Sequence, residues 1–507
     1  MSEKRYFKLA IGKSSKEDAV YLALFNAIDK QKEYDGKKIL NKVKTIKPNQ
    51  LANLKHYLYI QILTSLGNFH AGSSIEMELS ALLRNMEVLY LKGFYKQCWK
   101  ILEKAKKIAE LHEKFLITLD ILTWEHKLLG KETDYEKIKK YIEESKAQES
   151  KVIEKWVNHR DYKRLAKKLQ LIYTIDPSLQ NKKIKKEAEF FFNDPLLQRE
   201  ETALSYYAKG DYYHFRSMYF HLVKKDPENA FIYTKKRIQL YESHAEMKKE
   251  DFEYHIDNMG NYITWCILLG HKEEGLNYLK ELNEILYDKK LNGSQNLREK
   301  IFKSYYLNIY TLYNASGEFE KGIALIPKME SFIKEFDLNI PKFFEITLHY
   351  YSASLYFGAA QYDKALNYLN KLTIYKEKED NALRKDIHCA SRLLELMIHY
   401  ELKNDHLLEY KLLSAYRYLP KEKMLYKTEK IMLNFIKLLP KAETKKDLLN
   451  LFTNSEKEIA TILQEKDPEE LNVLDYLDIR SWLLSKIEDR SFAEVVRRNN
   501  HFSKLKS

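Results

Sequence analysis

Chemistry needs particular side chains at particular spacings, and few such constellations occur in this 507-residue chain. Gly12-Lys13-Ser14 has the ending of a phosphate-binding loop. That loop requires another glycine five positions before Gly12, so that the backbone can wrap a phosphate, and Phe7 stands there. Ser14 and Glu17 serve better as a capping box opening a helix over residues 19–30. His214 and His221 lie two helical turns apart on one face, but a metal needs further ligands in fixed geometry, so both read as core-edge residues. His388 and Cys389 are adjacent and point in different directions on a helix. The sequence has no H-E-x-x-H pair, no nucleophile elbow and no Gly-rich dinucleotide fingerprint. Carboxylates fall on polar helix faces beside lysines, where pairing is the ordinary explanation. The expectation is therefore a protein that binds rather than catalyses, with no catalytic residue, no cofactor and no metal site.

Composition narrows the class. Glycine and proline number 14 and 9, far below the average usage of about 7% and 5%. Turns must be few and elements long, which favours helix over strand. About 75–80% helix is expected, well above the usual third. The three cysteines, Cys98, Cys266 and Cys389, are too dispersed for a disulfide framework or a metal site and suit a reducing compartment. Cys98 and Cys266 read as small core residues. The N-terminus lacks the apolar stretch of a secretory signal, and no run of about 18 apolar residues suggests a membrane span. The cytoplasm is the expected compartment. The net charge of +13 admits an acidic partner. The plainer reading is compositional, since the lysines are spread along almost every helix and interleaved with glutamates. The 38 tyrosines are the distinctive surplus. Pairs such as Tyr206-Tyr207 and Tyr350-Tyr351 cannot enter one seam together, so one of each lies nearer the surface, as a contact residue or as filler between helices.

The elements that would position any site are amphipathic helices. Cys98, Ile101, Leu102, Ala105, Ile108 and Ala109 form one stripe, with Lys100, Lys104, Lys107 and Glu110 opposite. Tyr362, Ala365, Leu366, Leu369 and Leu372 form another, and Leu276, Leu279, Leu282 and Leu286 a third. The stripes come in pairs around short polar corners at Gly93, Gly210, Gly270, Gly317 and Ala360, with a weaker one at Asn404. From Gly210 onward the corners recur at intervals of roughly 45 to 60 residues, the mark of stacked helical hairpins.

These corners resemble those of tetratricopeptide repeats, where a small residue and an aromatic bracket the corner. The clearest match is Ala353, Tyr356, Tyr362, Ala365 and Leu369; next are Tyr306, Tyr313, Gly317, Phe319, Gly322 and Ile326. A third runs through Ala203, Tyr206, Gly210, Tyr212 and Leu222 and closes on Asp226-Pro227. Phe215 and Glu409 stand where the family has small residues, and the spacing exceeds its usual 34. The resemblance covers about half the chain and implies an all-α fold, an α-solenoid of antiparallel hairpins with lengthened helices and a C-terminal helical cap.

The expected organisation is N-terminal hairpins over 1–130, an irregular Lys/Glu-rich connector over 131–200 broken at Asp176-Pro177 and Asp194-Pro195, repeats over 201–420, and the cap over 421–507. After Asp467-Pro468 the cap carries Trp482, Leu483 and Phe492, expected to pack on the last hairpin, and Ser491 with Glu494 makes a capping box. In tetratricopeptide stacks the first helix of each hairpin lines the concave side. The register at Gly317 and Ala360 places Thr311, Asn314, Tyr350, Ser354 and Phe357 there, and the register at Asn404 adds Arg392 and Glu401. The resemblance thus implies a scaffold that takes a protein or peptide in this groove. The plain alternative is a groove filled by the chain's own helices, since the extra turns can project inward. A nucleic-acid-binding basic solenoid is the runner-up. A peptide-sensing regulator ranks last, because residues 1–90 show no recognition helix. No membrane partner is expected.

Overall fold

The computed structural model describes residues 3–11, 16–70, 72, 74–131, 134–175, 182–288, 295–373, 384–421, 425–465, 473–474 and 476–499. The protein is 84% helical, with no strand among the described residues. The Gly12-Lys13-Ser14 sequence and the breaks at Asp176-Pro177 and Asp467-Pro468 fall outside the described residues. The chain divides into two compact units, residues 1–160 and 161–507.

The first unit contains two cores. Helices Glu3–Ile11, Lys16–Asp29, Gly36–Lys42 and Leu51–Phe69 close around Phe7, Leu24, Ile39 and Leu58. Helices Ile75–Leu91, Tyr95–Leu111 and Phe115–Leu129 close around Leu79, Met86, Leu102 and Ile121. The stripe on Tyr95–Leu111 faces as its spacing requires. Cys98, Leu102, Ala105 and Ala109 are buried while Lys100, Lys104, Lys107 and Glu110 are exposed. The segment expected to be irregular is instead dominated by one helix, Tyr135–Ile175. No Gly or Pro interrupts those residues, so nothing in them stops propagation.

The second unit is a succession of antiparallel pairs: Tyr206–Tyr219 with Pro227–Glu242, Phe252–Leu268 with Lys272–Leu286, Gln295–Ser316 with Phe319–Ile323 and Ile326–Glu335, Lys342–Gly358 with Tyr362–Thr373, and Lys385–Glu401 with Asp405–Lys421. Each first helix from Phe252–Leu268 onward also packs on the first helix of the next pair. The pattern continues past residue 420, because Lys427–Leu438 pairs with Lys445–Glu465 and packs on Lys385–Glu401 in the same way. After it, the described residues from 473 to 499, with helices Ile479–Ile487 and Phe492–Asn499, depart from the pattern.

The corners share one device. At Gly93, Gly270 and Gly317 the backbone is left-handed, with φ of 79°, 76° and 67°, and Ala360 and Lys403 adopt φ of 56°. The following amide closes the helix by donating to a carbonyl five residues back: Phe94 to Leu89 at 2.9 Å, His271 to Cys266 at 2.8 Å, Glu318 to Tyr313 at 3.0 Å, Gln361 to Tyr356 at 2.8 Å and Asn404 to His399 at 3.0 Å. This is the Schellman ending, which satisfies carbonyls that a helix terminus would orphan. Glu113 and Asp489 close their helices identically.

Gly210 is not a corner. It lies buried inside Tyr206–Tyr219, where a Cβ would stand 2.5 Å from the Tyr241 hydroxyl oxygen. Its role is to let two helices approach across a tyrosine ring. The chain turns later, after a π-helical turn at Phe220–Lys224 and a left-handed Lys225, where Asp226 caps the next helix by accepting from the Asn229 amide at 3.0 Å.

Candidate functional site

The first-helix face of the second unit is the candidate site, and its residues divide sharply. Thr311 and Asn314 are half-buried and donate to their own helix, to the Leu307 carbonyl at 2.8 Å and the Tyr310 carbonyl at 3.0 Å. Tyr350 is 0% exposed. Its hydroxyl donates to the main-chain carbonyl of Tyr476 at 3.1 Å, and burial holds that hydroxyl far above the usual phenol range. Ser354 and Phe357 are buried, the Phe357 ring lying 5.4 Å from that of Phe492. Arg392 stacks its guanidinium 3.6 Å from the centre of the Tyr418 ring. Glu401 accepts from Trp482 Nε1 at 2.6 Å and from Lys486 Nζ at 2.7 Å.

Tyr350, Phe357 and Glu401 are therefore covered by residues 473–499. This corrects their reading as an open groove, and it is the outcome in which the chain's own helices fill the groove. Trp482 is fully buried within contact of the Tyr400, Phe435 and Phe452 rings, and Leu483 is fully buried. Phe492 goes further back than the last hairpin, stacking on Phe319 at 5.6 Å. The capping box forms as read, with the Ser491 amide donating to Glu494 at 3.0 Å and the Glu494 amide to Ser491 Oγ at 3.3 Å. The last helix then seats on the corner at Gly317, where Arg497 Nε donates to the Gly317 carbonyl at 2.9 Å. A Cβ at Gly317 would meet Arg497 Cγ at 3.0 Å and the Ala493 carbonyl at 3.1 Å, so this glycine serves both the corner and the docked helix.

Sequence reasoning missed Arg384. It stands at φ 52° just before its helix, pairs with Asp386 at 2.8 Å, and donates to Thr347 at 2.8 Å and to the Tyr476 hydroxyl at 3.2 Å. Burial pushes the Asp386 carboxyl up, but the Arg384 hydrogen bonds and charge outweigh it and hold the carboxyl below its ordinary range. The one signal available was that Lys342–Gly358 carries large apolar residues over most of its circumference, which demands cover on more than one side.

The equivalent stretch of Phe252–Leu268 is uncovered. Thr264, Thr311 and Ser354 stand at the same distance before the corners at Gly270, Gly317 and Ala360. Asp257, Asn261 and Thr264 are exposed, with Lys300 bridging to Asp257 at 2.8 Å and Thr264 donating to Asn308 at 2.9 Å.

The remaining chemistry-bearing residues are structural. Asp211 joins Lys163 at 3.0 Å and accepts from the Tyr254 hydroxyl at 2.9 Å, while Arg237 donates to Tyr254, so one buried network ties four helices. Burial, reinforced by the Arg237 charge, pushes the His214 imidazole down to about 3 and keeps it neutral. His221 instead packs edge-on against Trp265 at 5.2 Å. The three thiols are buried and none is in a disulfide, and burial raises Cys266 to about 12. Among the described residues no group of His, Cys, Asp and Glu side chains could hold a metal, and no helix is long and apolar enough to cross a membrane. Compared with known protein families, curated proteins and solved structures, the chain matches none.

Proposed function

We propose that this chain is a non-catalytic, cytoplasmic scaffold, an α-solenoid of tetratricopeptide-like hairpins that binds a protein or peptide along its first-helix face. One observation carries the reading: that face already holds a polypeptide, since residues 473–499 lie on it through contacts that a peptide makes. Tyr350 grips a main-chain carbonyl, Trp482 inserts its ring among aromatics with its N–H on Glu401, and Phe492 fills the space between Phe319 and Phe357. Aromatic anchors with a few directed polar groups are the composition of a peptide groove. The chain's own segment leaves the stretch through Asp257, Asn261 and Thr264 open, and the partner docks there. The repeating corner geometry and first-helix-to-first-helix packing support the solenoid.

The test is affinity purification of the full chain from its native cells beside a variant carrying Thr264→Arg and Asn261→Arg. Both positions are exposed, so the fold should survive. Partners recovered by the native chain should be lost by the variant. Partners retained at unchanged recovery would refute the site.

A nucleic-acid reading has one observation in its favour. Arg216 has no carboxylate partner among the described residues and lies 5.0 to 5.5 Å from the rings of Tyr219, Phe220 and Tyr233, beside the π-helical turn, with Lys236 over Tyr213. Cation–aromatic surfaces of this kind suit single strands. Binding of a labelled oligonucleotide that weakens steeply with salt and with Arg216→Ala would favour it.

A further inference from the structure

The helix Leu51–Phe69 of the first unit carries large apolar side chains on more than one side, yet only part of it is covered. Leu51, Leu58 and Ser65 are buried, but Tyr57, Tyr59, Ile60 and Leu63 are 47%, 58%, 44% and 49% exposed. Apolar sides of a helix are ordinarily buried. Beside the bare face lies a groove of about 310 Å³, formed between this helix and the chain at Ile28–Tyr34 and lined by Ile28, Tyr34, Lys55, Leu58, Tyr59 and Ile62. Four of these come from the helix at the spacing of one stripe.

The chain that follows this wall is strongly basic. Residues 30–55 contain lysines at 30, 32, 37, 38, 42, 44, 47 and 55 against Glu33 and Asp35 alone. All but Lys55 are exposed, and among the described residues only Lys38 approaches a carboxylate, Asp35 at 3.7 Å. Lys55 holds its ammonium 4.6 Å from the centre of the Tyr34 ring, in the groove wall itself. An apolar trough with Lys55 in its wall and a basic segment in the same unit is complementary to one object above others: a helix with an apolar stripe flanked by carboxylates. A flat anionic membrane would satisfy the lysines but would leave the trough unfilled.

We propose that the groove beside Leu51–Phe69 is a docking site for an acidic amphipathic helix of a partner protein, with Tyr59 and Ile62 receiving its apolar stripe, and with Lys55 and the exposed lysines of the 30–47 segment attracting its carboxylates. This site lies wholly in the first unit and is independent of the face assigned above.

The experiment uses the full chain and two fluorescent peptides of about 18 residues, five helical turns, with the same leucine stripe, one flanked by glutamates and the other by lysines. Anisotropy should show the acidic peptide bound at least about tenfold more tightly. The exposed-face variant Tyr59→Ser with Leu63→Ser, and separately Lys47→Glu with Lys55→Glu, should each weaken it about tenfold while leaving the melting temperature unchanged. Equal binding of the two peptides, no binding, or binding unaffected by both variants would overturn the proposal. Vesicles of phosphatidylserine and phosphatidylcholine form the last arm. Sedimentation with vesicles that the variants abolish, without peptide binding, would reassign the face to a membrane surface.

Discussion

Two helices of this chain present the same problem to the fold and receive different answers. Leu51–Phe69 in the first unit and Lys342–Gly358 in the second both carry large apolar side chains on more than one side. In the second unit every residue from Ser352 to Gly358 is buried, and the C-terminal segment returns to meet Tyr350 and Phe357. In the first unit Tyr57 stacks on Tyr21 at 4.9 Å, but Tyr59, Ile60 and Leu63 stay largely exposed. An apolar helix face specifies that a cover must come, not where it comes from. Where the chain supplies it, the result is core; where it does not, the face is available to another molecule.

The comparison can be broken most forcefully at Trp482. Replacing it with Ala removes a fully buried indole and one of the two donors held by Glu401, and should lower stability by about 3–5 kcal/mol in chemical denaturation. A loss below about 1 kcal/mol, the net worth of a single hydrogen bond, would mean that the segment is a loose appendage.

The corner glycines sharpen it next. Gly93 and Gly317 have the same left-handed backbone, but a Cβ at Gly93 meets nothing within 4 Å whereas one at Gly317 meets the docked last helix. Gly93→Ala should cost roughly 1 kcal/mol for the backbone alone. Gly317→Ala should cost about 2–3 kcal/mol, since Arg497 and Ala493 must also shift. Equal losses in paired melts would show that the last helix does not press on this corner.

Acid gives a smaller, graded effect confined to the covered face. The Asp386 carboxyl is depressed in the fold relative to its model value of 3.8. Its contribution is therefore complete above that value and is lost as pH falls through the depressed folded value. Trp482 fluorescence followed into acid should report this loosening, and Asp386→Asn should remove that component of the pH dependence. An unchanged acid profile would exclude the Arg384–Asp386 pair as a fastener of Tyr476.

The smallest effect belongs to the bare helix. Leu63→Ser should change stability by no more than about 0.5 kcal/mol, as for an ordinary surface site. A melting shift as large as that of a core substitution would reveal a cover on this face and end the contrast.

Much of this architecture is legible along the chain. The corners at Gly93, Gly270, Gly317, Ala360 and Asn404 announce themselves because a left-handed helix ending favours small or polar residues and is followed by a fresh apolar stripe. Gly210 misleads for a physical reason: the same absence of a side chain serves a turn and a close helix crossing, and only the Tyr241 hydroxyl distinguishes them. The helix Tyr135–Ile175 is legible too, since its residues lack Gly and Pro, but Lys/Glu density obscures a stripe that does not hold one face throughout.

What the sequence by itself determined is local: helix nearly everywhere, corner positions, the buried stripes of Tyr95–Leu111 and Tyr362–Thr373, the capping box at Ser491, and a terminal segment with Trp482 that must be buried. Each follows from periodicities and caps that act within a few residues. Only the tertiary structure decided which face receives which cover. Tyr350 meets the carbonyl of Tyr476, 126 residues further along, and Arg497 meets Gly317, 180 residues back. Apolar attraction is non-directional, so a bare stripe carries no address. The address comes from the packed path of all the hairpins between, which brings the C-terminal segment to Lys342–Gly358 and leaves Leu51–Phe69 open.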